Sequence, residues 1–354
     1  MDILLSNILN NGSIIASPSH EPDYNFHWTR DSAIVIKSLI NVYLYSKDTK
    51  YLKIFNNYIN ISLKHIKYNP GEPKFYIDGT PYLKEWGRPQ NDGPALRGLI
   101  CIELLNILPE REIDLLKIIN NDVNYTISEI ENPCFDLWEE EYGYHFYTRI
   151  IQYKFLYICY NNNCKNYNII KVPNNILEIS KKRFFDHFDN NTLYSSFSTD
   201  GKILRKYDSS VLLGLEHVDY VIPNLGVSDI RIQQYVQDLI EIFNNEYLIN
   251  KKLNIFFLGR YKNDKYFNGN PWIITTISLY HYYCVVNKIN IIFKSCNNFL
   301  KFIKKKKYLS EQIDKNNGLN ISVEKLTWNY AELILLINKI KKLDIEQYMD
   351  ILFN

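Results

Sequence analysis

The sequence predicts an all-α protein. Apolar residues recur at the spacing of amphipathic helices along most of the 354 residues, and alternating strand patterns are few. Prolines stand where helices are expected to start, a position at which the missing amide donor costs nothing. The composition, 46% hydrophobic and 23% charged, is that of an ordinary globular enzyme and not of a disordered chain.

Individual helices can be placed from this spacing. The first clear one follows Asp31, and its apolar residues share one face: Ile36, Leu39, Ile40, Tyr43 and Leu44. A second helix is predicted to begin at Pro94 and to end before Pro109, and a third to begin at Pro271.

A recurring unit suggests how these helices are arranged. A loop holding Trp, Arg and Asp precedes a helix start, and a long apolar helix face follows. Repetition of this unit predicts a helical toroid, with inner and outer helices and the connecting loops gathered around a pocket at one end. Periodicity alone also fits an ordinary bundle or an α-solenoid. No linker or composition shift marks a boundary, so we expect one domain over residues 1–354.

Charge and cysteine usage exclude several classes of partner. The net charge is +2 and the basic run around Lys306 is short, so we expect no nucleic-acid partner. No apolar run reaches membrane-spanning length, so we expect no membrane contact. The six cysteines form no CxxC pair and no cluster with histidine, so we expect no metal.

Four loops concentrate ionisable and aromatic residues beside helix starts, where a rigid scaffold can hold binding groups. They are residues 17–31 (SPSHEPDYNFHWTRD), 86–94 (WGRPQNDGP), 132–143 (NPCFDLWEEEYG) and 259–272 (GRYKNDKYFNGNPW). A fifth segment, LTWNYA, occupies residues 326–331.

In this order, these segments resemble the glucoamylase family of glycoside hydrolases. The third loop is the most specific match, with Asn-Pro, then an acidic residue two before Trp-Glu-Glu, then Gly. The likeness spans nearly the whole chain and implies an (α/α)6 barrel, a toroid of six helical hairpins. It also implies a glucan 1,4-alpha-glucosidase: an exo-acting, inverting enzyme that releases β-D-glucose from the non-reducing ends of starch, glycogen and maltooligosaccharides, with slower α-1,6 cleavage.

Inversion at a glycosidic bond needs two carboxyl groups. One protonates the leaving oxygen and the other activates a water on the opposite face, with the pair roughly 6.5 to 9.5 Å apart. Neighbours such as Glu139 and Glu140 cannot both serve, so the partners must come from different loops. The resemblance gives the acid to Glu139, the first glutamate after the tryptophan. It gives the base to Glu311, in a Ser-Glu-Gln segment at the family's offset from Trp328.

The surroundings of the acid are expected to favour its protonated form. The apolar wall of Trp138 and the neighbouring carboxylates Asp136, Glu140 and Glu141 would each disfavour a charge on Glu139. Asp136 is linked to catalysis by the resemblance, and we interpret it as a supporting residue for the acid.

The resemblance also assigns sugar-binding roles. Arg30 and Asp31 are expected to bind hydroxyls of the terminal glucose, where a fork of donors and a charged acceptor select one epimer. Arg260 and Glu140 are expected to hold the next sugar. The other predicted binding residues are Trp86 and Trp328 at the border of the site, Tyr24 facing the developing oxocarbenium charge, and Trp28, Leu137 and Trp138. His27 and His145 are interpreted as structural.

The chain departs from the family pattern at its start. We expect the first barrel helix to be cut to residues 2–10. Without a leader, the chain as it stands is expected to be intracellular, and secreted or vacuolar if its start is incomplete. We expect a monomer without cofactor and without a starch-binding domain. Two alternatives stay open: a trehalase-like or glucodextranase-like hydrolase on the same scaffold, and a non-catalytic carbohydrate-binding relative.

Overall fold

A computed structural model describes residues 1–161 and 167–343 of the chain. Helices dominate these residues and are numbered α1 to α14: Asp2–Ser6, Thr29–Ser46, Lys50–His65, Asp92–Leu105, Glu112–Glu129, Phe146–Tyr160, Asn174–Phe185, Ser210–His217, Ile230–Glu246, Leu248–Leu253, Ile273–Val285, Ile289–Ile291, Asn297–Lys304 and Thr327–Lys342. Short 3-10 turns span Pro109–Arg111 and Tyr266–Asn268, and a π-helical turn spans Ile292–Cys296. The predicted all-α class is confirmed.

Strands are confined to short pieces of the connecting loops. They are numbered β1 to β8: His27–Trp28, Lys74–Phe75, Cys134–Phe135, Tyr142–His145, Ser196–Phe197, Ile203–Arg205, Gln312–Ile313 and Asn320–Ile321. They pair antiparallel as β1 with β2, as a sheet in the order β3, β4, β5 and β6, and as β7 with β8. These small sheets fix the loops that precede the helices.

Six helices form a closed inner ring. Each contacts the next and the last contacts the first, in the order α2, α4, α6, α8, α11 and α14. Every residue of α8 is buried, as are the first twelve residues of α2. Helices buried on all sides must be surrounded by other elements, and here the remaining helices supply an outer layer.

The outer helices are amphipathic. In α3, the buried residues Tyr51, Phe55, Tyr58 and Ile59 share one face, and Lys53 on the other face is exposed. This helix contacts α2 and α5, while α5 contacts α4 and α6, and α7 contacts α6. Inner and outer helices alternate along the chain, and the contact between α14 and α2 closes them into a toroid, whereas a solenoid would stay open.

The ring is closed by contacts between the two ends of the described chain. Asn7 donates from Nδ2 to Thr327 Oγ1 at 2.8 Å, and that hydroxyl donates to the carbonyl of Ile15 at 2.6 Å. The amide of Thr327 donates to the carbonyl of Ala16 at 2.8 Å. The start of α14, which borders the site described below, is therefore anchored to the N-terminal segment.

Three details differ from the predicted helices. α4 begins at Asp92, two residues before Pro94, and α11 begins two residues after Pro271. Pro94 is tolerated inside the first helical turn, because none of those amides has an acceptor within the helix. Pro271 instead precedes Trp272, the residue that caps α11. Leu44 was predicted on the buried face of α2 but is 52% exposed, since the last turn of that helix extends beyond its neighbours.

The first helix is shorter than expected. α1 ends at Ser6, because residues 7–13 form a turn in which the amide of Leu9 donates to the carbonyl of Ser13 at 2.8 Å. α1 contacts α14 and so adds to the outer layer. Among the described helices, none combines the length and apolar character that crossing a bilayer requires.

Candidate active site

A cavity of about 840 Å³ opens beside the first turns of the inner helices α2 and α14. Twelve of the thirteen predicted site residues line it: Tyr24, Trp28, Arg30, Asp31, Trp86, Leu137, Trp138, Glu139, Glu140, Arg260, Glu311 and Trp328. These residues come from six segments of the sequence, so the fold brings the predicted site together.

Asp136 is the exception, because it does not line the cavity. Its Oδ1 accepts the amides of Glu140 at 2.8 Å and Glu141 at 3.1 Å, and its carbonyl accepts the amide of Glu139 at 3.0 Å. Asp136 therefore contacts the acid's turn and not the cavity, and its link to catalysis as a supporting residue stays a prediction. It braces the tight turn between β3 and β4 that carries Glu139.

This turn forces Glu139 into an unusual backbone conformation. Its φ is 68°, in the left-handed region that non-glycine residues rarely occupy. Such strain costs of order 1 kcal/mol or more and persists where surrounding contacts impose it. Here the β3–β4 pairing and the Asp136 brace impose it, and they hold the Glu139 side chain at the cavity wall.

One oxygen of Glu139 receives all of its hydrogen bonds. Trp28 Nε1 donates to Oε1 at 2.7 Å, and Gln90 Nε2 donates to the same atom at 2.9 Å. Arg30 Nη2 lies 3.9 Å from that oxygen. The other oxygen, Oε2, accepts no hydrogen bond from the described part of the chain. The carboxyl group is thus oriented through one oxygen and leaves the second available to a ligand.

The neighbouring carboxylates have partners other than Glu139. Arg205 binds Asp136 at 2.6 Å and Glu140 at 2.9 Å, and Arg260 binds Glu140 at 2.7 Å. These arginines offset the negative charges that the sequence placed around the acid. The predicted effect of those carboxylates on the protonation of Glu139 stays a prediction.

Glu311 is buried, immediately before β7. Tyr24 donates to its Oε1 at 2.9 Å, and Oε2 accepts from Gln312 Nε2 at 3.2 Å and from the Ser322 hydroxyl. Burial raises the pKa of Glu311 above its usual value, and these three hydrogen bonds partly offset the shift. A buried carboxylate with a raised pKa is a stronger proton acceptor than an exposed one.

Glu139 and Glu311 are connected through the aromatic residues between them. Trp28 contacts the first carboxyl group and Tyr24 contacts the second, and their ring centroids lie 5.8 Å apart. Both residues belong to the loop before α2. The two carboxyl groups therefore face one cavity but have separate sets of hydrogen-bond donors.

Arg30 and Asp31 form the first turn of α2 and are almost fully buried. Arg30 Nη1 donates to Gln90 Oε1 at 2.8 Å and to Asp92 Oδ2 at 3.1 Å. Asp31 Oδ2 lies 3.6 Å from Arg30 Nε. Burial raises the pKa of Asp31 to about 7, although the positive charge of Arg30 opposes the shift.

Arg260 is held in an aromatic cage. Asp264 binds it through two oxygens, at 2.8 Å and 2.6 Å. Its guanidinium carbon lies between 5.1 and 5.5 Å from the ring centroids of Trp138, Trp272, Tyr261 and Tyr266. Arg260 also binds Glu140 at 2.7 Å, so the two residues expected to hold the second sugar lie side by side at the cavity.

Lys74 lines the cavity, and no sequence motif marked it. β1 and β2 pair in a register that sets Trp28 opposite Lys74. The ammonium group lies over four rings, at 3.5 Å from the centroid of Trp86, 4.1 Å from Phe26, 4.3 Å from Tyr82 and 4.7 Å from Trp28. Burial lowers the pKa of Lys74 to about 8. A desolvated cation in an aromatic cage adds a donor to this wall.

Four other residues of the site were not assigned roles from the sequence. Gln90 and Asp92 lie inside the second loop, where they bind Arg30. Tyr266 and Trp272 lie in the fourth loop and line the cavity. Tyr266 contacts the Tyr24 hydroxyl, with 3.2 Å between the oxygens. Their position inside the second and fourth loops was the sequence signal that could have placed them at the site.

Comparison with known proteins identifies the family. The model of "Glycosyl hydrolases family 15" matches residues 1–338. Glucoamylase-1 of Arthroderma benhamiae is 28% identical over 94% of this chain and 67% of the relative. The glucoamylase of Blastobotrys adeninivorans is 30% identical over 76% of this chain. The chain covers only 50% of that second relative's length.

Solved structures give the fold. The glucoamylase of Saccharomycopsis fibuligera superposes with a TM-score of 0.84 at 24% identity, covering 97% of this chain and 93% of that one. The glucoamylase of Hormoconis resinae gives 0.83 at 24% identity, covering 96% of this chain and 72% of that one. The predicted (α/α)6 barrel and the predicted family are both confirmed. With a family match over nearly its whole length, the chain belongs to glycosyl hydrolase family 15.

Proposed function

We propose that the chain is a glucoamylase: an exo-acting, inverting hydrolase that releases β-D-glucose from the non-reducing ends of α-1,4-glucans. The observation that carries the proposal is that Glu139 and Glu311 reach one cavity from distant loops. The family match and the relatives named glucoamylase support the same activity. In this reading the site residues take the roles predicted from the sequence, and Asp136 supports the acid from outside the cavity.

The acid step follows from the geometry of Glu139. Its Oε1 is held by Trp28 and Gln90, so the proton resides on Oε2 at the cavity wall. That proton passes to the glycosidic oxygen as the bond from this oxygen to the anomeric carbon breaks. The leaving sugar departs as an alcohol, and Glu139 becomes a carboxylate beside Arg30.

The base step falls to Glu311. A water attacks the anomeric carbon from the opposite face and transfers a proton to the Glu311 carboxylate. Tyr24 donates to that carboxylate and lies between it and Trp28, so its oxygen is placed near the positive charge that develops on the sugar. The new carbon–oxygen bond forms on the face opposite the leaving group, which gives β-D-glucose.

Attack at chain ends is supported by the depth of the binding residues. Arg30 and Asp31 are 5% and 7% exposed, in the first turn of an inner helix. A terminal glucose can reach groups so deeply placed, whereas the middle of a long glucan would collide with the cavity walls. Arg260 and Glu140 then fit the second sugar from the end.

The anomer of the first product tests this proposal. The purified protein is incubated with maltotriose, and proton NMR spectra are recorded before mutarotation equilibrates the anomers. β-D-glucose should accumulate first. Release of α-D-glucose first would mean retention, and the absence of glucose release would remove the activity altogether.

Chemical rescue tests the base separately. Glu311→Ala should lose hydrolysis, because water is no longer deprotonated. Azide needs no deprotonation, so it should attack the anomeric carbon of an activated α-glucosyl substrate and yield β-glucosyl azide. Wild-type turnover of Glu311→Ala, or the α-azide as product, would contradict the assignment.

The names of the relatives do not favour the trehalase-like and glucodextranase-like alternatives. Parallel assays on maltotriose, trehalose and isomaltose separate the three activities. We expect fast cleavage of maltotriose, slow cleavage of the α-1,6 bond of isomaltose and no cleavage of trehalose. A non-catalytic binding relative would bind maltooligosaccharides without releasing glucose.

A further inference from the structure

A buried carboxyl pair lies behind the cavity wall, and the proposed mechanism does not use it. Glu216 on α8 and Glu332 on α14 are 1% and 0% exposed. In both residues Oε2 is buried and has no hydrogen-bond donor among the described residues. The two side chains are nevertheless within hydrogen-bonding reach of each other. Two carboxylates buried within hydrogen-bonding reach of each other would repel strongly, so one of the two groups must carry a proton.

The surroundings decide which residue carries the proton. Glu332 Oε1 accepts from Trp328 Nε1 at 2.6 Å and lies 2.8 Å from His217 Nε2. Burial alone would raise the pKa of Glu332, but His217 and these hydrogen bonds hold it below its usual value. Burial and the charge of Glu332 raise the pKa of Glu216. The surroundings therefore favour the neutral form of Glu216 and the charged form of Glu332.

The histidines complete this cluster. The Nδ1 atom of His217 lies 2.8 Å from the Tyr147 hydroxyl, and Nδ1 of His281 contacts Glu216 Oε1. Glu332 is thus held directly by partners from α8 and from its own helix, and His217 is held in turn by Tyr147 on α6. The oxygen that accepts the indole N–H cannot shift without breaking its contact to His217 on a neighbouring inner helix.

We propose that Glu332 is a positioning residue that fixes the Trp328 indole as part of the cavity wall. Trp328 lines the cavity while its N–H is directed to the Glu332 carboxylate. The Arg30 guanidinium carbon lies 5.7 Å from the Trp328 ring centroid. The orientation of the indole therefore also affects the surroundings of Arg30, one of the residues expected to bind the terminal glucose. Glu216 supplies the proton that allows a charged Glu332 at this depth. The consequence for turnover rests on the proposed function.

Indole resonances test the contact without reference to activity. The chain has five tryptophans, and the Trp328 signal in a ¹⁵N-indole spectrum is assigned by its loss in Trp328→Phe. Charge-assisted hydrogen bonds are short and strong, so this N–H should resonate downfield. Glu332→Leu should move it upfield, and Glu332→Gln should move it part of the way. Glu216→Gln should leave it unmoved, because the amide is neutral, as the protonated acid is.

A double-mutant cycle tests the effect on turnover. Glu332→Leu should lower kcat/KM for maltotriose about tenfold, since a hydrogen bond to a charged group is lost. In a Trp328→Phe background, which lacks the indole N–H, the same substitution should change kcat/KM less than about twofold. Glu216→Gln should retain most of the wild-type value, and Glu216→Leu should not.

Equal losses in both backgrounds, or an unmoved indole resonance in Glu332→Leu, would overturn the positioning role. If Glu332→Leu does not fold, Glu332→Gln supports the same cycle with a smaller expected loss. If the wild-type chain releases no glucose, the proposed function fails, while the indole measurement still decides whether Glu332 holds Trp328.

Discussion

At the scale of single residues, the site depends on how each carboxyl group is held. Glu139 is bound through one oxygen by two donors, whereas both oxygens of Glu311 are bound. A group with one unbound oxygen is suited to pass a proton to a ligand. A group with both oxygens bound is suited to stay ionised until water delivers a proton to it.

Replacement of the acid should separate activity from folding. Glu139→Gln removes the proton donor while keeping the side-chain shape, so glucose release from maltotriose should fall by about 10²-fold to 10⁴-fold. The thermal unfolding midpoint should change little. Glu141→Gln is the matched control, because it lies in the same turn but does not line the cavity, and its activity should stay within about twofold. Substantial activity in Glu139→Gln would rule out the assignment.

Asp31 should make stability depend on pH. Folded Asp31 keeps its proton up to about pH 7, because burial raises its pKa, whereas the unfolded residue loses its proton near 3.8. The folded state therefore binds more protons in between, and this contribution to stability is lost as the pH rises from about 4 to 7. Asp31→Asn stays neutral and should become more stable than the wild type across that window, by about 1 to 4 kcal/mol.

Urea unfolding of both proteins at several pH values between 4 and 7 measures the difference. Asp48→Asn is the control with the opposite sign. Hydrogen bonds from Lys50 lower the pKa of Asp48, so its contribution is lost only as the pH falls below about 4. Its difference from the wild type should be flat over the window. A flat difference for Asp31→Asn as well would show that Asp31 is already ionised in the folded protein.

At the scale of elements, an ion pair connects an inner and an outer helix. Arg97 on α4 binds Asp122 on α5 through two contacts of 2.9 Å and 2.6 Å, and both side chains are 2% exposed or less. Removing one partner of such a pair strands the other charge in the interior, which costs far more than the pair itself contributes.

Asp122→Ala should therefore lower the free energy of unfolding by about 3 to 5 kcal/mol. Asp114→Ala, in the first turn of the same helix, breaks a pair with Arg111 whose acidic side chain is 40% exposed. Its cost should be below about 1 kcal/mol. Chemical denaturation of the two variants gives the comparison, and equal costs would mean that solvent reaches Arg97.

Helices were more predictable than the other elements. The spacing that places Ile36, Leu39 and Ile40 on one face is set by the helix itself, so it is legible in the sequence. β1 and β2 have two residues each, too few for an alternating pattern, and their pairing joins positions 28 and 74. For this reason Lys74 could not be placed at the site from the sequence.

At the scale of the whole molecule, hydrogen bonds between the two ends of the described chain close the ring of helices. Asn7 is 2% exposed and donates to Thr327 Oγ1 and to the carbonyl of Lys325. Asn7→Ala should lower the free energy of unfolding by about 1 to 3 kcal/mol, because buried acceptors lose their donor. Calorimetry should still show one transition, since a ring has no end repeat that melts alone.

Ser6→Ala is the control for this closure. The Ser6 hydroxyl donates only to the nearby carbonyl of Ile3 at an exposed position, so its loss should cost less than about 0.5 kcal/mol. A separate, low-temperature transition in Asn7→Ala would mean that the N-terminal segment unfolds independently of the barrel.

Ring closure also explains what the sequence left open about architecture. Helix periodicity fits a bundle, a solenoid or a toroid, because it reports each helix and not its neighbours. The contacts that select the toroid join α2 to α14 and Asn7 to Thr327, across almost the full length of the chain. The site loops were recognisable because their residue types are fixed by chemistry, whereas Glu216 and Glu332 have no such pattern and become a pair only through α8 and α14.

The left-handed backbone of Glu139 creates a trade-off between thermal stability and the proposed hydrolysis. Glycine would occupy a φ of 68° without a steric penalty, so relief of strain is within reach of a single substitution. That substitution would delete the side chain that we propose as the proton donor. At this position, a substitution that stabilises the fold would therefore remove the proposed activity. Substitutions intended to raise the thermal unfolding midpoint should be placed outside this turn.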